Sequence, residues 1–531
     1  MPAIAKRSDL QPRHFRGVKM AVSINYASSS LGNADLEKQY EDALRQVRNT
    51  SPETSPLIIN GEEVTSNQVV ERFDPCNLDI LVGSAFAATP KQVEQAVAAA
   101  HAMRKQWRNT SYQDRVFAIR KAKAVINENL MFISAVLSAE TGKTRLEAVG
   151  ETIEVVDMVE HYCSQIESNN GYSAPMKSTA AESNTDLLIP YGTFAIIVPF
   201  NFPVALAAGM MLGALVTGNT VVVKSSDKTP RSTHVLAKIF ADVLPNGVVN
   251  ILHGGAEVGK ALAASDVDGI AFTGSSKVGW ELVSTPSPSG LPRPVLAEMG
   301  GQNPTIVLAS ANLEDAADGI VKSAYGLSGQ KCSACRRVVV DDSVADELIS
   351  KIESRISKLV VGDPMDVGVN LGPVIDDVIG KRIDAALALG HQDGKVVTGE
   401  RLDIPGNFFT PVLIADLPKG HELTREELFA PFLTVTRVNG IDEALAEANA
   451  VKYGLSAGIY AGKQEEVDQF LDEIQAGVLY TNRAAGATTG AWPGVQSFCG
   501  WKMSGSMGKG GLANWYLPGF MREQSRTIVS L

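Results

Sequence analysis

The stretch GQKCSACRR, residues 329–337, holds the residues best suited to chemistry in this 531-residue chain. Small neighbours leave Cys332 little bulk around it, as a thiol that must meet a substrate requires. Lys331, Arg336 and Arg337 add positive charge nearby, which predicts a stabilised thiolate. Three blander readings stay open on local grounds. Cys332 could be a small core hydrophobe, Cys332 and Cys335 could form a redox pair, or the CxxC could be half of a zinc site. A second CxxC or a nearby His pair, which would complete such a site, is missing from the sequence.

Four further groups carry chemical potential. Asn201, in the stretch PFNFP (199–203), follows an apolar strand-like run, and Pro203 reads as the first residue of a helix. That puts Asn201 at or beside an N-cap, either capping the helix or aiming its amide at a developing oxyanion. Glu298 is an isolated acid in semi-apolar surroundings before a glycine pair, so it could act as a general base with a raised pKa, or be merely solvated. Lys224 and Asp227 follow the run TVVVK and could hold the two hydroxyls of a ribose, or form a solvated charged loop. Gly274 and Ser275 open a strand-to-helix turn whose free N–H groups suit a phosphate. Neither a P-loop nor GxGxxG spacing is present there.

The elements that must position these groups alternate. Residues 57–64 predict a hairpin turning at Asn60-Gly61. Thr89, Pro90 and Gln92 predict a capped helix whose apolar stripe is Val93, Ala96, Val97, Ala100 and Met103. From residue 186 the chain reads strand, helix, strand, helix, and a second such unit follows from about residue 300, with Ser343 placed to cap a helix over 344–359. This rhythm predicts parallel sheets covered on both faces, with ligands at the carboxyl ends of the strands. The β-branched C-terminus, residues 520–531, is a pairing hazard if left as a free edge, which predicts association with another subunit.

Taken together and in this order, PFNFP, Lys224, LPNGVVNILHG (244–254), FTGS (272–275), EMGGQNP (298–304), GQKCSACRR and EELFAPF (426–432) resemble the aldehyde dehydrogenase superfamily from about residue 57 onward. The resemblance implies an α/β fold: an NAD-binding domain (56–168 and 187–299), a catalytic domain (300–514), and oligomerisation strands (169–186 and 515–531), after an N-terminal tail and helix (1–55). It implies that Cys332 adds to an aldehyde and that Asn201 stabilises the oxyanion. Glu298 would activate the water that opens the Cys332 thioester. Lys224 and Asp227 would bind the adenosine ribose, Gly274 and Ser275 the pyrophosphate, and Glu427 and Phe429 the nicotinamide ribose region. NAD is the expected cofactor. The family's usual carboxylate is one methylene longer than Asp227, which keeps NADP as the alternative.

The stretches 480–483 and 489–505, with Ser333 directly after the nucleophile, look like the 1-pyrroline-5-carboxylate dehydrogenase branch. Its members oxidise glutamate γ-semialdehyde to glutamate in proline catabolism. By that resemblance Ser333, Gly490 and Ala491 would hold the α-carboxylate, and Phe202 and Phe498 would enclose the methylenes. Ser497-Phe498-Cys499-Gly500 departs from the branch's Pro-Phe-Gly-Gly. Another ω-semialdehyde such as succinate semialdehyde, a non-catalytic structural relative, and a thiol–disulfide switch at Cys332 and Cys335 are the competing readings.

Composition sets the outer limits. A net charge of −11 argues against broad nucleic-acid binding. Five cysteines in a chain this long do not form a disulfide framework, which predicts a reducing compartment, the cytoplasm. The longest apolar run, residues 202–216, is too short and too broken by Pro203, Gly209 and Gly213 to span a membrane. The basic first twenty residues read as a disordered tail or as sequence ahead of a true start at Met20; as a transit peptide they would instead direct the chain to the mitochondrial matrix. A small-molecule aldehyde and a second copy of the chain are the expected partners.

Overall fold

The computed structural model describes Leu31, residues 34–485 and residues 492–529. Gly490, Ala491 and the basic N-terminal tail lie outside these residues.

Two seven-stranded sheets organise the chain. The first runs Val295–Met299, Gly269–Gly274, Thr193–Ile197, Thr220–Lys224, Val249–Leu252, Leu57–Ile59, Glu62–Val64. Its first five strands are mutually parallel; the last two are antiparallel and turn at Asn60 and Gly61, both at positive φ. Each strand of the parallel block is buried nearly end to end, the signature of a sheet covered on both faces. The cover includes the helix Pro90–Asn109, which Thr89 and Gln92 close with a full capping box. Ala205–Val216, apolar all round, is another covering helix.

The second sheet runs Lys395–Thr398, Val412–Ala415, Phe432–Val438, Cys335–Asp341, Asn303–Val307, Ser456–Tyr460, Val478–Thr481, parallel except for its first pair. Only three residues separate the end of Val295–Met299 from the start of Asn303–Val307. The carboxyl edge of the first sheet is thereby brought to the amino edge of the second. Gly300 and Gly301 make the crossing because nothing larger fits. A Cβ on Gly300 would lie 2.0 Å from Glu427 Oε2, and one on Gly301 would lie 2.7 Å from the Cys332 carbonyl oxygen.

The C-terminal strand Met521–Val529 does not stand free. It pairs antiparallel over its whole length with Glu182–Pro190 of the same chain, as the edge strand of a three-stranded sheet. Two local expectations fail. Ser343 is not the cap of its helix: Asp341 caps Asp342–Ile356, accepting from Ser343 N. The helix after PFNFP begins at Ala205, not at Pro203. Among the described residues, no helix is long and apolar enough to cross a membrane.

Candidate active site

In the first sheet the strand order reverses between Thr193–Ile197 and Gly269–Gly274, the position where open parallel sheets bind ligands. The two loops leaving these strands are the one carrying Asn201 and the one carrying Ser275. The second sheet supplies Cys332 on the loop that enters Cys335–Asp341.

Asn201 is buried but caps nothing. Glu151 Oε1 accepts from Val204 N and Ala205 N, both at 2.9 Å, and so takes over the helix N-terminus. One N–H of the Asn201 amide donates to Gln330 O at 2.9 Å, two residues before Cys332.

Cys332 and Glu298 open into one cavity, with Ser333, Phe202, Phe498 and Lys331 among its walls. Sequence reasoning missed other walls of the cavity, among them Glu154, Met158 and Tyr162 from the helix Arg145–Ser168, and Leu512 and Tyr516 near the C-terminus. The first three had a signal in their helical spacing; the last two had none.

The electrostatics around the thiol reverse the expectation from the local charges. Burial, reinforced by the carboxylates of Glu427 and Glu298, pushes the Cys332 thiol up to about 12. The arginines do not face it. Arg336 donates to the carbonyls of Ala430, Gly329 and Lys331, and Arg337 to those of Gln302, Glu447 and Ala448. They clamp backbone instead of stabilising a thiolate, so the Cys332 thiol needs a base.

Glu298 has the character of one. Burial holds its carboxyl well above the ordinary range, and its Oε2 has no hydrogen-bond partner among the described residues. Glu427 accepts from Gly301 N at 3.0 Å, and burial, opposed by Arg336, lifts it to about 7. Phe429, at φ 58°, sets its ring edge-on to Phe200 with centroids 5.7 Å apart.

The CxxC residues separate in space. All five cysteines are free thiols. Cys335 starts a buried strand, receives a hydrogen bond from Thr305 Oγ1 at 3.1 Å, and packs in the core of the second sheet. No cluster of His, Cys, Asp and Glu among the described residues could hold a metal.

Lys224, Asp227, Gly274 and Ser275, expected at a dinucleotide, lie at or just beyond the carboxyl ends of Thr220–Lys224 and Gly269–Gly274, the strands on either side of Thr193–Ile197. The Lys224 ammonium is buried and donates to Gly254 O at 2.9 Å; burial brings it down to about 8. Asp227 is exposed beside it. Ser275 caps the helix Ser276–Ser284 and is exposed, and the buried Ser276 Oγ has no partner among the described residues. Gly279 lets this helix sit against Met299, whose Sδ is 2.2 Å from where a Cβ would be. A ribose and a pyrophosphate both fit these donors.

The profile described as "Aldehyde dehydrogenase family" matches residues 62–525. The chain belongs to the aldehyde dehydrogenase family. Among its relatives, the 1-pyrroline-5-carboxylate dehydrogenase of Bacillus cytotoxicus is 36% identical over 486 residues, covering 89% of this chain and 92% of the relative. That of Bacillus pumilus is 37% identical over 508 residues, covering 93% and 96%. The structure of the Thermus enzyme of the same name, with bound NAD, superposes with a TM-score of 0.91 at 31% identity, covering 96% of this chain and all of that one.

Proposed function

We propose that this aldehyde dehydrogenase oxidises L-glutamate γ-semialdehyde to glutamate with NAD. The observation that carries the reading is the convergence of Cys332, Glu298, Ser333, Phe202 and Phe498 on a single cavity. The relatives of the same length support the substrate.

In this reading Cys332 gives up its proton to Glu298, directly or through water, and its sulfur adds to the aldehyde carbon. The carbonyl oxygen becomes an oxyanion. It is held by the Cys332 N–H and by the second N–H of the Asn201 amide, whose first N–H is already committed to Gln330 O. Bound NAD supplies the hydride acceptor, held by Lys224, Asp227, Gly274 and Ser275 with Glu427 and Phe429 at its nicotinamide end. The proton that Glu298 took from Cys332 passes to solvent, and the free carboxylate then takes a proton from the water that attacks the Cys332 thioester. The sulfur leaves as a thiolate and recovers that proton, and the acid product loses its own to solvent as the carboxylate. Phe202 and Phe498 exclude bulk water from the short chain, while Ser333, with Gly490 and Ala491, receives the substrate's α-carboxylate. The parallel-sheet units serve as cofactor and catalytic domains, with residues 169–186 and 515–531 as the oligomerisation strands of a cytoplasmic homo-oligomer.

The deciding experiment compares kcat/KM for glutamate γ-semialdehyde and succinate semialdehyde with NAD. A clear preference for the former is expected; a preference for the latter overturns the substrate. Failure to form NADH with any short aldehyde overturns the enzyme.

A further inference from the structure

Helix Arg145–Ser168 reaches both loops that carry the proposed reacting groups, and it does so with two carboxylates on one face. Glu147 and Glu151 are four residues apart, hence one above the other on the helix. Glu151 is fully buried. Its Oε1 holds Val204 N and Ala205 N, and its Oε2 is paired with the fully buried ammonium of Lys143. That ammonium lies 3.8 Å from the centroid of the Phe202 ring. One carboxylate therefore fixes the backbone just after Phe202, and its counter-ion seats the ring.

Glu147 does the equivalent for the other loop. Its Oε1 accepts from Leu327 N, while its Oε2 accepts from Thr144 N at 3.1 Å and Thr144 Oγ1 at 3.0 Å. Lys331 Nζ is 4.0 Å from the same Oε1. The segment it holds is strained. Leu327 and Ser328 have φ of 50° and 49°, non-glycine residues in the left-handed region, and Gly329 follows at 66°. Three consecutive left-handed residues do not persist unless their surroundings hold them. Here the surroundings are Glu147 and the Arg336 guanidinium, which binds Gly329 O and Lys331 O.

We propose that Glu147 and Glu151 are positioning residues that set the separation between the Asn201 amide and the Cys332 thiol. They act through the backbones of residues 202–205 and 327–330, using one rigid helix as the common reference. The inference rests on the roles proposed above for Asn201 and Cys332. It assigns the helix a part in the rate as well as in the core.

The test uses alanine and glutamine at each position in the full-length chain. Glu147→Ala removes the acceptor for Leu327 N; Glu147→Gln retains one. At Glu151 both changes are made together with Lys143→Met, so that no unpaired ammonium is left buried. Each alanine variant is expected to lower kcat by between about tenfold and about a hundredfold, since small misplacements of reacting groups cost that much. Each is also expected to change the rate of Cys332 alkylation by iodoacetamide, read on the Cys332 peptide by mass spectrometry, while the dissociation constant for NAD stays the same. The glutamine variants are expected to recover most of the loss.

Unchanged kcat and alkylation in the folded alanine variants overturn the proposal. So does a loss of NAD affinity and melting temperature in parallel with kcat, because that marks a general structural role. Failure of the Lys143→Met/Glu151→Ala chain to fold makes Glu151 a stability residue and overturns its half. If the parent chain forms no NADH from any aldehyde, the proposed function has failed; the alkylation rates still report on the positioning.

Discussion

The Asn201 side-chain amide donates to the backbone carbonyl of Gln330 at 2.9 Å, joining the first sheet's loop to the loop that carries Cys332. A single hydrogen bond thus links the proposed oxyanion donor to the chain two residues before the nucleophile. An Asn201→Ala variant loses both this link and the oxyanion donor. It is expected to lower kcat by about a hundredfold or more while leaving KM for NAD unchanged, as measured by steady-state NADH formation.

Cys332 and Cys335 separate two readings of the same motif. Cys332→Ser is expected to abolish NADH formation. Cys335→Ser keeps a small side chain beside Thr305 and is expected to retain activity within about threefold, with stability lowered by about 1 kcal/mol. Loss of activity in Cys335→Ser, together with a mixed disulfide on oxidation, is the outcome a thiol switch requires.

Glu298 predicts an opposition between activity and stability. Its carboxyl is raised in the folded chain above the ordinary 4.5, so between that value and the folded pKa the folded state holds the proton and the unfolded state does not. Stability from this group is present at low pH and falls as pH rises through that window. Glu298→Gln, which is never charged, is therefore expected to be more stable than the parent at neutral and alkaline pH, by about 1 kcal/mol or more. The advantage should vanish below pH 4.5. The same variant should have lost thioester hydrolysis. Melting temperatures and NADH formation across pH check both halves.

Asp227 is exposed beside the buried Lys224, where its charge would repel a ribose 2′-phosphate. Asp227→Ser is expected to raise the ratio of kcat/KM for NADP over NAD by about tenfold, since one close like-charge contact is worth on the order of 1.4 kcal/mol at an interface. Lys224→Ala is expected to weaken both cofactors without altering Cys332 alkylation.

Arg336 is buried and satisfies three backbone carbonyls around the nucleophile. Lysine has no planar fork with which to reach all three. Arg336→Lys is expected to cost about 3 kcal/mol or more, read by denaturant unfolding, and to lower kcat in the fraction that remains folded.

What the residues determined by themselves is local or periodic. The hairpin at Asn60-Gly61 and the capping box at Thr89 and Gln92 form as their types dictate, because turn and cap chemistry acts over a few residues. The strand–helix alternation announced two parallel sheets for the same reason. Family likeness points to Phe202, Glu298, Cys332, Ser333 and Phe498 without any distance between them, and the fold sets all five on one cavity.

Tertiary structure decided everything that depends on a partner distant in sequence. Pro203 looks like a helix start, yet the cap is Glu151, some fifty residues earlier, so Asn201 is released for another task. Lys331, Arg336 and Arg337 look like activating charges for Cys332. Folding turns the two arginines onto carbonyls, buries the sulfur and brings Glu427 and Glu298 toward it, so the thiol pKa rises, first through burial and then through the two carboxylates. Neighbours in sequence share a backbone, but a side chain's field and its hydrogen bonds come from whatever packs against it. The strand order that brings Asn201 and Cys332 together is written across hundreds of residues and becomes visible only when the sheets form.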